Sequence, residues 1–277
     1  MVEVLHPGLW SSIQDQGRIG FRNIGVPLSG TMDREASTAA NRLLGNKDTA
    51  AIIECTFMGP TLRFQKDAWV AVKGAPFPVY RNQQEIPDSR PIELRKGDTF
   101  RLGTTAVGRY AYIAVQGGFD TERVMGSRSQ HAGITQHSHL QKGTLLAIGS
   151  DYRSSGTTPY TFQKSSNVVS LPVKKGPEYD QLSTNQRQQL ERERFIIQPQ
   201  SNRMAFVLEA EKPISVPEII TGPVQPGTVQ ITPSGRCMLL MRDCQTTGGY
   251  GRIFQLPKKA IITAAQLSVH SQIKWEL

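Results

Sequence analysis

Residues 94–115 read Leu94-Arg95-Lys96-Gly97-Asp98-Thr99-Phe100-Arg101-Leu102-Gly103-Thr104-Thr105-Ala106-Val107-Gly108-Arg109-Tyr110-Ala111-Tyr112-Ile113-Ala114-Val115. A tight turn at Lys96-Gly97 launches a short strand over 99–102 that stops at Gly103. A second run, rich in Tyr, Ile and Val, covers 110–115. Working outward, runs of the same kind recur at 52–57, 69–73, 167–172, 195–197, 205–208, 228–231, 238–241, 260–263 and 273–275, with Gly, Pro and Asp between them. Many short strands at close spacing predict a mainly β fold, closed as a barrel or sandwich, with few short helices. The turn device recurs too: Leu94 through Gly103 matches Leu140-Gln141-Lys142-Gly143 through Gly149 at a constant offset of 46. Two hairpins of one type would produce this repeat, and chance reuse of a common turn would produce it equally well.

Two helices stand out. Thr31 is placed as an N-cap, Asp33 and Glu35 occupy the first turn, and Ala36, Ala40, Leu43 and Leu44 form an apolar stripe before Gly45. Ser183 and Gln186 make a capping box, and the polar run up to Arg194 leaves only a narrow stripe containing Leu190 to pack down. Residues 150–166 have linker composition, which predicts one β-rich subdomain over 1–160 and a second, also β-rich, over 165–277.

A chain of 277 residues buries roughly three quarters of its unfolded surface, enough for one large domain or two ordinary ones. Its composition, 38% hydrophobic and 20% charged, excludes a disordered or low-complexity chain. The formal charge is +9, from 32 basic and 23 acidic residues. The basic residues are scattered, so we expect no nucleic-acid groove and no membrane surface. Cys55, Cys237 and Cys244 show no C-x-x-C spacing, which suits a reducing compartment. The first residues lack a basic segment followed by an apolar core, and no apolar run approaches the roughly 18 residues of a span. A cytoplasmic protein is expected.

Among chemical signatures, the phosphate loops G-x-x-x-x-G-K-[ST] and G-x-G-x-x-G, the zinc motif H-E-x-x-H and the nucleophile elbow G-x-S-x-G are all missing. No lysine sits in the Met-Lys-Met context of a biotin carrier. His131, His137 and His139 lie within nine residues of one another. No carboxylate or thiolate accompanies them closely, and solvated loop histidines are the commoner reading, so no metal is assigned. Cys244 would need an imidazole base to act as a nucleophile. The run Arg242-Asp243-Cys244-Gln245-Thr246-Thr247-Gly248-Gly249-Tyr250-Gly251-Arg252 is more informative. It follows an apolar strand and gathers a carboxylate, a carboxamide, hydroxyls and adjacent glycines. Backbone donors exposed at Gly248 and Gly249 suit an oxygen that gains charge, and a Gly-Gly turn with capping hydroxyls explains the same residues. Residues 11–22 and 25–33 are similar in kind, the second leading into a helix N-terminus that either holds an anion or is a plain cap.

Together these segments resemble one family, the proteins known as allophanate hydrolase subunit 2, KipA or the C component of 5-oxoprolinase. Its pattern runs P-G-L, Q-D-x-G-R-x-G-x-R, G-V-P-x-S-G-x-M-D and A-N-x-L-x-G-N, met here by residues 7–9, 14–22, 25–33 and 40–46. Further matches fall at 115–120, 126–129, 176–178 with Asp180, 201–204 and 245–250, in order along nearly the whole chain. The sequence departs from the pattern at Cys244, at Gly251 where Pro is usual, and in the shortened segment 130–133.

The resemblance implies a cyclophilin-like β-barrel in the C-terminal subdomain, without isomerase activity. It implies the C component of an ATP-dependent 5-oxoprolinase, a hydrolase that opens 5-oxo-L-proline to L-glutamate with a KipI-like B component and a LamB/YcsF-like A component. ATP would be used by the complex, with no cofactor bound covalently here. A carboxyltransferase acting on urea or a urea-like amide, with biotin on another chain, is the alternative enzyme. A KipA-like regulator that antagonises a KipI-like kinase inhibitor is the non-enzymatic alternative. For a small amide substrate, the expected catalytic residues are Asp243, Gln245, Thr246, Thr247 and Tyr250. Substrate contacts are expected from Gly248, Gly249, Arg252, Arg128, Ser127, Arg18, Asp15, Ser29 and Asp33, because the lactam oxygen gains charge and a substrate carboxylate wants a fork-shaped donor.

Overall fold

The computed structural model describes residues 1–149 and 159–277. The first part of the expected linker, 150–158, lies outside them. The chain divides into two units, Met1–Arg18 with Ser29–Lys164, and Ile19–Leu28 with Ser165–Leu277. A single cut near residue 160 therefore does not separate them. Ten residues near the N-terminus pack with the C-terminal unit, and residues 159–164 belong to the first: Phe162 packs on its core and the Tyr160 hydroxyl donates to Asp33, 3.4 Å away.

The first unit carries two antiparallel sheets. One has six strands in the order Leu145–Leu146, Val2–His6, Thr61–Phe64, Thr99–Leu102, Val79–Arg81, Gln84–Ile86. The other has five, in the order Trp10–Gln14, Ile52–Thr56, Tyr110–Val115, Ala68–Gly74, Ile92–Leu94. Val4, Leu62, Phe64 and Phe100 from the first sheet share one apolar core with Ile53, Val70, Ile113 and Val115 from the second. Every residue of Tyr110–Val115 is buried, because helix α1 (Arg34–Leu43) covers the face turned away from that core. Its contact surface is small, with Ala36, Ala39 and Ala40 buried, so the helix seats closely.

The two Lys-Gly turns are alike. Asp98 N donates to Arg95 O and Thr144 N to Gln141 O, with Gly97 at φ +93° and Gly143 at φ +83°. They are not hairpins, however. Ile92–Leu94 pairs in the five-stranded sheet and Thr99–Leu102 in the six-stranded one, so the first turn carries the chain from one layer to the other. The second does the same, since Leu140 N bonds Ser11 O beside one sheet and Leu145–Leu146 pairs in the other.

The second unit holds a nine-stranded sheet whose path runs Val168–Pro172, Gln272–Glu276, Phe195–Ile197, Ala205–Ala210, Cys237–Leu240, Thr228–Ile231, Thr247–Gln255, Lys174–Lys175, with Glu218–Pro223 on the edge of Thr247–Gln255. First and last members of the path are neighbours in sequence, separated by Val173 alone, whose N–H donates to Glu276. One extended segment thus pairs with both ends of the sheet and turns it back on itself. Helix α2 (Thr184–Arg192) begins with the reciprocal Ser183–Gln186 capping box and buries only Leu190. Helix α3 (Lys258–Ala265) replaces the strand expected at 260–263. Ile261 and Ile262 favour a strand locally, yet Ala260, Ile261, Ala264 and Ala265 bury one helical stripe, and tertiary packing decides. No described helix is long and apolar enough to cross a membrane.

Candidate functional site

Strand Cys237–Leu240 ends in a turn at Met241, where Cys244 N donates to Met241 O and Asp243 N to Arg203 O. The Asp243 carboxylate is gripped from both sides by the Arg203 guanidinium, through Nε at 2.8 Å and Nη2 at 3.0 Å. Both side chains are nearly buried, 9% exposed for Arg203 and 14% for Asp243. This bidentate pair fixes the turn that presents the next residues. Cys244 is fully buried, and burial pushes its thiol up to about 11 even though Arg22 beside it pulls the other way. A thiolate nucleophile there is disfavoured.

The glycine-rich run expected as a turn is a nine-residue strand, Thr247–Gln255. Its first half pairs with Glu218–Pro223, Thr247 opposite Pro223 and Gly248 opposite Gly222. The glycines make room for neighbours. A Cβ at Gly248 would lie 2.9 Å from the Gln230 amide, and one at Gly222 would lie 2.9 Å from Arg252 Nη1. Gly248 thus sits in a ladder rather than in an open loop, and Gly249 falls where the register of that ladder shifts. Gln245 Oε1 is buried with no hydrogen-bond partner, Thr246 O accepts from Val224 N, and Thr247 and Tyr250 are exposed.

Arg252, expected among the substrate contacts, instead grips Glu178. Its backbone N and Nε donate to Oε2 at 2.8 and 2.9 Å, Nη2 donates to Oε1 at 2.6 Å, and Nη1 reaches Pro223 O at 2.9 Å. The guanidinium holds the Glu178 carboxyl below its ordinary range. Beside this pair lies a cavity of about 410 Å³ lined by Arg22, Lys175, Thr228, Arg252 and Gln255, among others. Arg22 donates from Nη2 to Val224 O. Sequence reasoning passed over Arg22, Lys175, Glu178 and Arg203 as site residues. Three of them lie in the motif runs 14–22, 176–178 and 201–204, without a neighbour in sequence to mark them.

The remaining candidates gather in the first unit. Asp15 is a hub: its carboxylate accepts from Gly17 N, Ser127 Oγ, Ser129 Oγ and Arg128 N at 2.6–2.8 Å. Arg18 is fully buried and donates to Ser129 O, and Arg128 pairs with Asp120. Ser29 is fully buried at φ +55° with its hydroxyl unpartnered, Gly30 N donates to Gln14 Oε1, and Thr31 N donates to Asp15 O. Asp33, not Thr31, caps α1, because its carboxylate accepts from Ala36 N at 2.9 Å while the Thr31 hydroxyl bonds Ser37. The Asp33 N–H in turn donates to the buried Tyr112 hydroxyl, which burial first and Glu54 second push well above the usual phenol range. The chain is thus held on both sides of the excursion Ile19–Leu28, by Arg18 before it and by the Gly30 and Thr31 backbone N–H groups after it. His139 stacks on Trp10 with ring centroids 4.4 Å apart, and His131 Nδ1 lies against Ala132 O.

A two-sheet unit followed by a wrapped nine-stranded unit, with polar side chains gathered where Thr247–Gln255 meets its edge partner, has clear counterparts. The chain belongs to the family of carboxyltransferase domains with subdomains A and B, whose model matches residues 24–277. It is 32% identical to the 5-oxoprolinase C component of Haemophilus influenzae, covering 100% of this chain and 91% of that one. It is 30% identical to the 5-oxoprolinase C component of Escherichia coli, covering 99% and 90%. In structure it is similar to TTHA0988, with a TM-score of 0.89 at 25% identity over the whole chain, though it spans only 55% of that protein. It is equally similar to the urea amidolyase of K. lactis, TM-score 0.89 at 25% identity, and spans 18% of that chain.

Proposed function

We propose that this chain is the C component of an ATP-dependent 5-oxoprolinase, converting 5-oxo-L-proline to L-glutamate together with a KipI-like B component and a LamB/YcsF-like A component. The observation that carries this reading is the end-to-end similarity to two proteins named as that component, against a match to urea amidolyase of Lachancea kluyveri that covers 47% of this chain and 7% of that one. Opening a lactam builds negative charge on the carbonyl oxygen and frees an amine. Gln245 Oε1, buried and unpartnered, accepts the lactam N–H, while the Thr246 and Thr247 hydroxyls and Tyr250 donate toward oxygen. Asp243 acts by holding the turn through Arg203. ATP is bound mainly by the other components, in keeping with the missing phosphate loop. Reliance on partners fits the edge strand Glu218–Pro223, where Ile220 is 97% exposed beside an open hydrogen-bonding edge. Three buried free thiols suit the reducing cytoplasm, where we place the complex.

The family match and the structural likeness to urea amidolyase favour a second reading, carboxyl transfer to a urea-like amide from biotin on another chain. Glutamate release from 5-oxo-L-proline and ATP decides between them. The three purified components together should turn over, and this chain alone should not. Turnover by the isolated chain, or ATP-dependent carboxylation of urea in place of glutamate release once a biotin carrier is supplied, would overturn the assignment.

A further inference from the structure

The cavity of about 410 Å³ beside the Arg252–Glu178 pair has an unbalanced charge. Glu178 is matched by Arg252, with two guanidinium nitrogens and a backbone N–H on its two oxygens. Arg22 has no such partner. Its Nη2 donates to a neutral carbonyl, its Nη1 is shut off from water with no acceptor, and the thiol beside it is neutral. Lys175, exposed, lies with Nζ 4.8 Å from the Tyr179 ring centroid, a contact that leaves its charge intact. Neither Arg22 nor Lys175 has an ion pair among the described residues. Two cations with no counter-charge in one concave wall favour an anion, most strongly one with two oxygens that a guanidinium fork can meet.

The wall is also rigid. Thr228 Oγ1 donates to Gln255 Oε1 at 2.9 Å, and Gln255 Nε2 donates to Pro226 O and Leu256 O, so these polar groups are held in place before any ligand arrives. The connection to the amide-handling segment is short. Val224 O receives Arg22 while Val224 N donates to Thr246 O, and adjacent strands lie about 4.8 Å apart.

We propose that Arg22 and Lys175 form the subsite for the carboxylate of the substrate, with Arg252 and Glu178 as its fixed floor. This rests on the lactam-opening reading for the identity of the ligand, and on the cavity alone for its charge. Two measurements separate the two. In the assembled complex, Arg22→Gln should raise KM for 5-oxo-L-proline about tenfold or more with kcat nearly unchanged. Lys175→Gln, on an exposed side chain that carries no fold, should raise it a few-fold. With the full chain alone, calorimetry should show binding of 5-oxo-L-proline that weakens in both variants, and no binding of 2-pyrrolidinone, the same lactam without a carboxylate. Unchanged KM and unchanged binding in Lys175→Gln and Arg22→Gln would overturn the proposal. So would 2-pyrrolidinone competing as well as 5-oxo-L-proline. Inorganic phosphate binding there without displacement by 5-oxo-L-proline would assign the site to phosphate and overturn it as well. If the complex shows no turnover while the chain binds 5-oxo-L-proline through Arg22 and Lys175, the subsite stands and the assigned reaction falls.

Discussion

Replacing Asp243 with alanine tests whether this carboxylate holds the turn or works on substrate. Its partner Arg203 is 9% exposed and donates twice, at 2.8 and 3.0 Å. Removing one member of a buried ion pair leaves the other desolvated, at a cost of about 3–5 kcal/mol. Because Asp243 itself keeps 14% of its exposure and water can relax toward the vacancy, the lower end applies, about 3 kcal/mol. For a protein of this size that lowers Tm by roughly 6–12 °C. Arg203→Ala should cost a similar amount, and the double substitution should cost about 2 kcal/mol less than the sum, since both changes break the same pair. The assay is urea denaturation of the four proteins at pH 7, with melting as a check. A loss below about 0.5 kcal/mol for Asp243→Ala, or strict additivity in the cycle, would refute the structural role and return Asp243 to the groups facing substrate.

Three further outcomes follow from the same geometry. A Cβ at Gly176 would lie 2.1 Å from Arg252 O, so Gly176→Ala should destabilise by about 3 kcal/mol, read in the same denaturation assay. Arg252 holds the folded-state pKa of Glu178 below the ordinary 4.5. Such a carboxylate stabilises the fold above 4.5 and loses that contribution as pH falls through its depressed folded value, so acid unfolding should begin below about pH 4.5 and be less steep in Glu178→Gln. All three cysteines are free and buried, Cys55 and Cys237 with thiols pushed far up by burial. An Ellman titration at pH 8 should therefore read almost no accessible thiol in the native protein and three after denaturation.

The strands and the second helix were legible because their signals are local. The run 110–115 is apolar throughout, and the capping box at Ser183 needs only four residues. Other features depend on distant partners. Ile261 and Ile262 favour a strand until the buried stripe of α3 is known, and Thr31 competes with Asp33 for a role that only the Ala36 N–H decides. The glycines at 248 and 249 suggest a loop, whereas both lie in a strand and Gly248 is small because Gln230 needs the space. Arg252 was recognised as a cation, but its partner Glu178 lies 74 residues away. Arg22 was hidden most deeply, since its significance comes from meeting Val224 across 202 residues.

The early segment Ile19–Leu28, which packs with a unit otherwise made of the last 113 residues of the chain, sets an order of events during synthesis. At translation rates of 5–20 residues per second, about 250 residues follow Leu28, so this segment waits roughly 10–50 s for its sheet. Ile19 and Ile24 remain largely exposed even afterwards, at 74% and 63%. Through that interval the bonds of Asp15 and Arg18 to residues 127–129 can form as soon as those residues emerge, which anchors the chain just before the waiting segment. The C-terminal unit therefore completes last, because its earliest segment can pack only once Ser165–Leu277 has emerged.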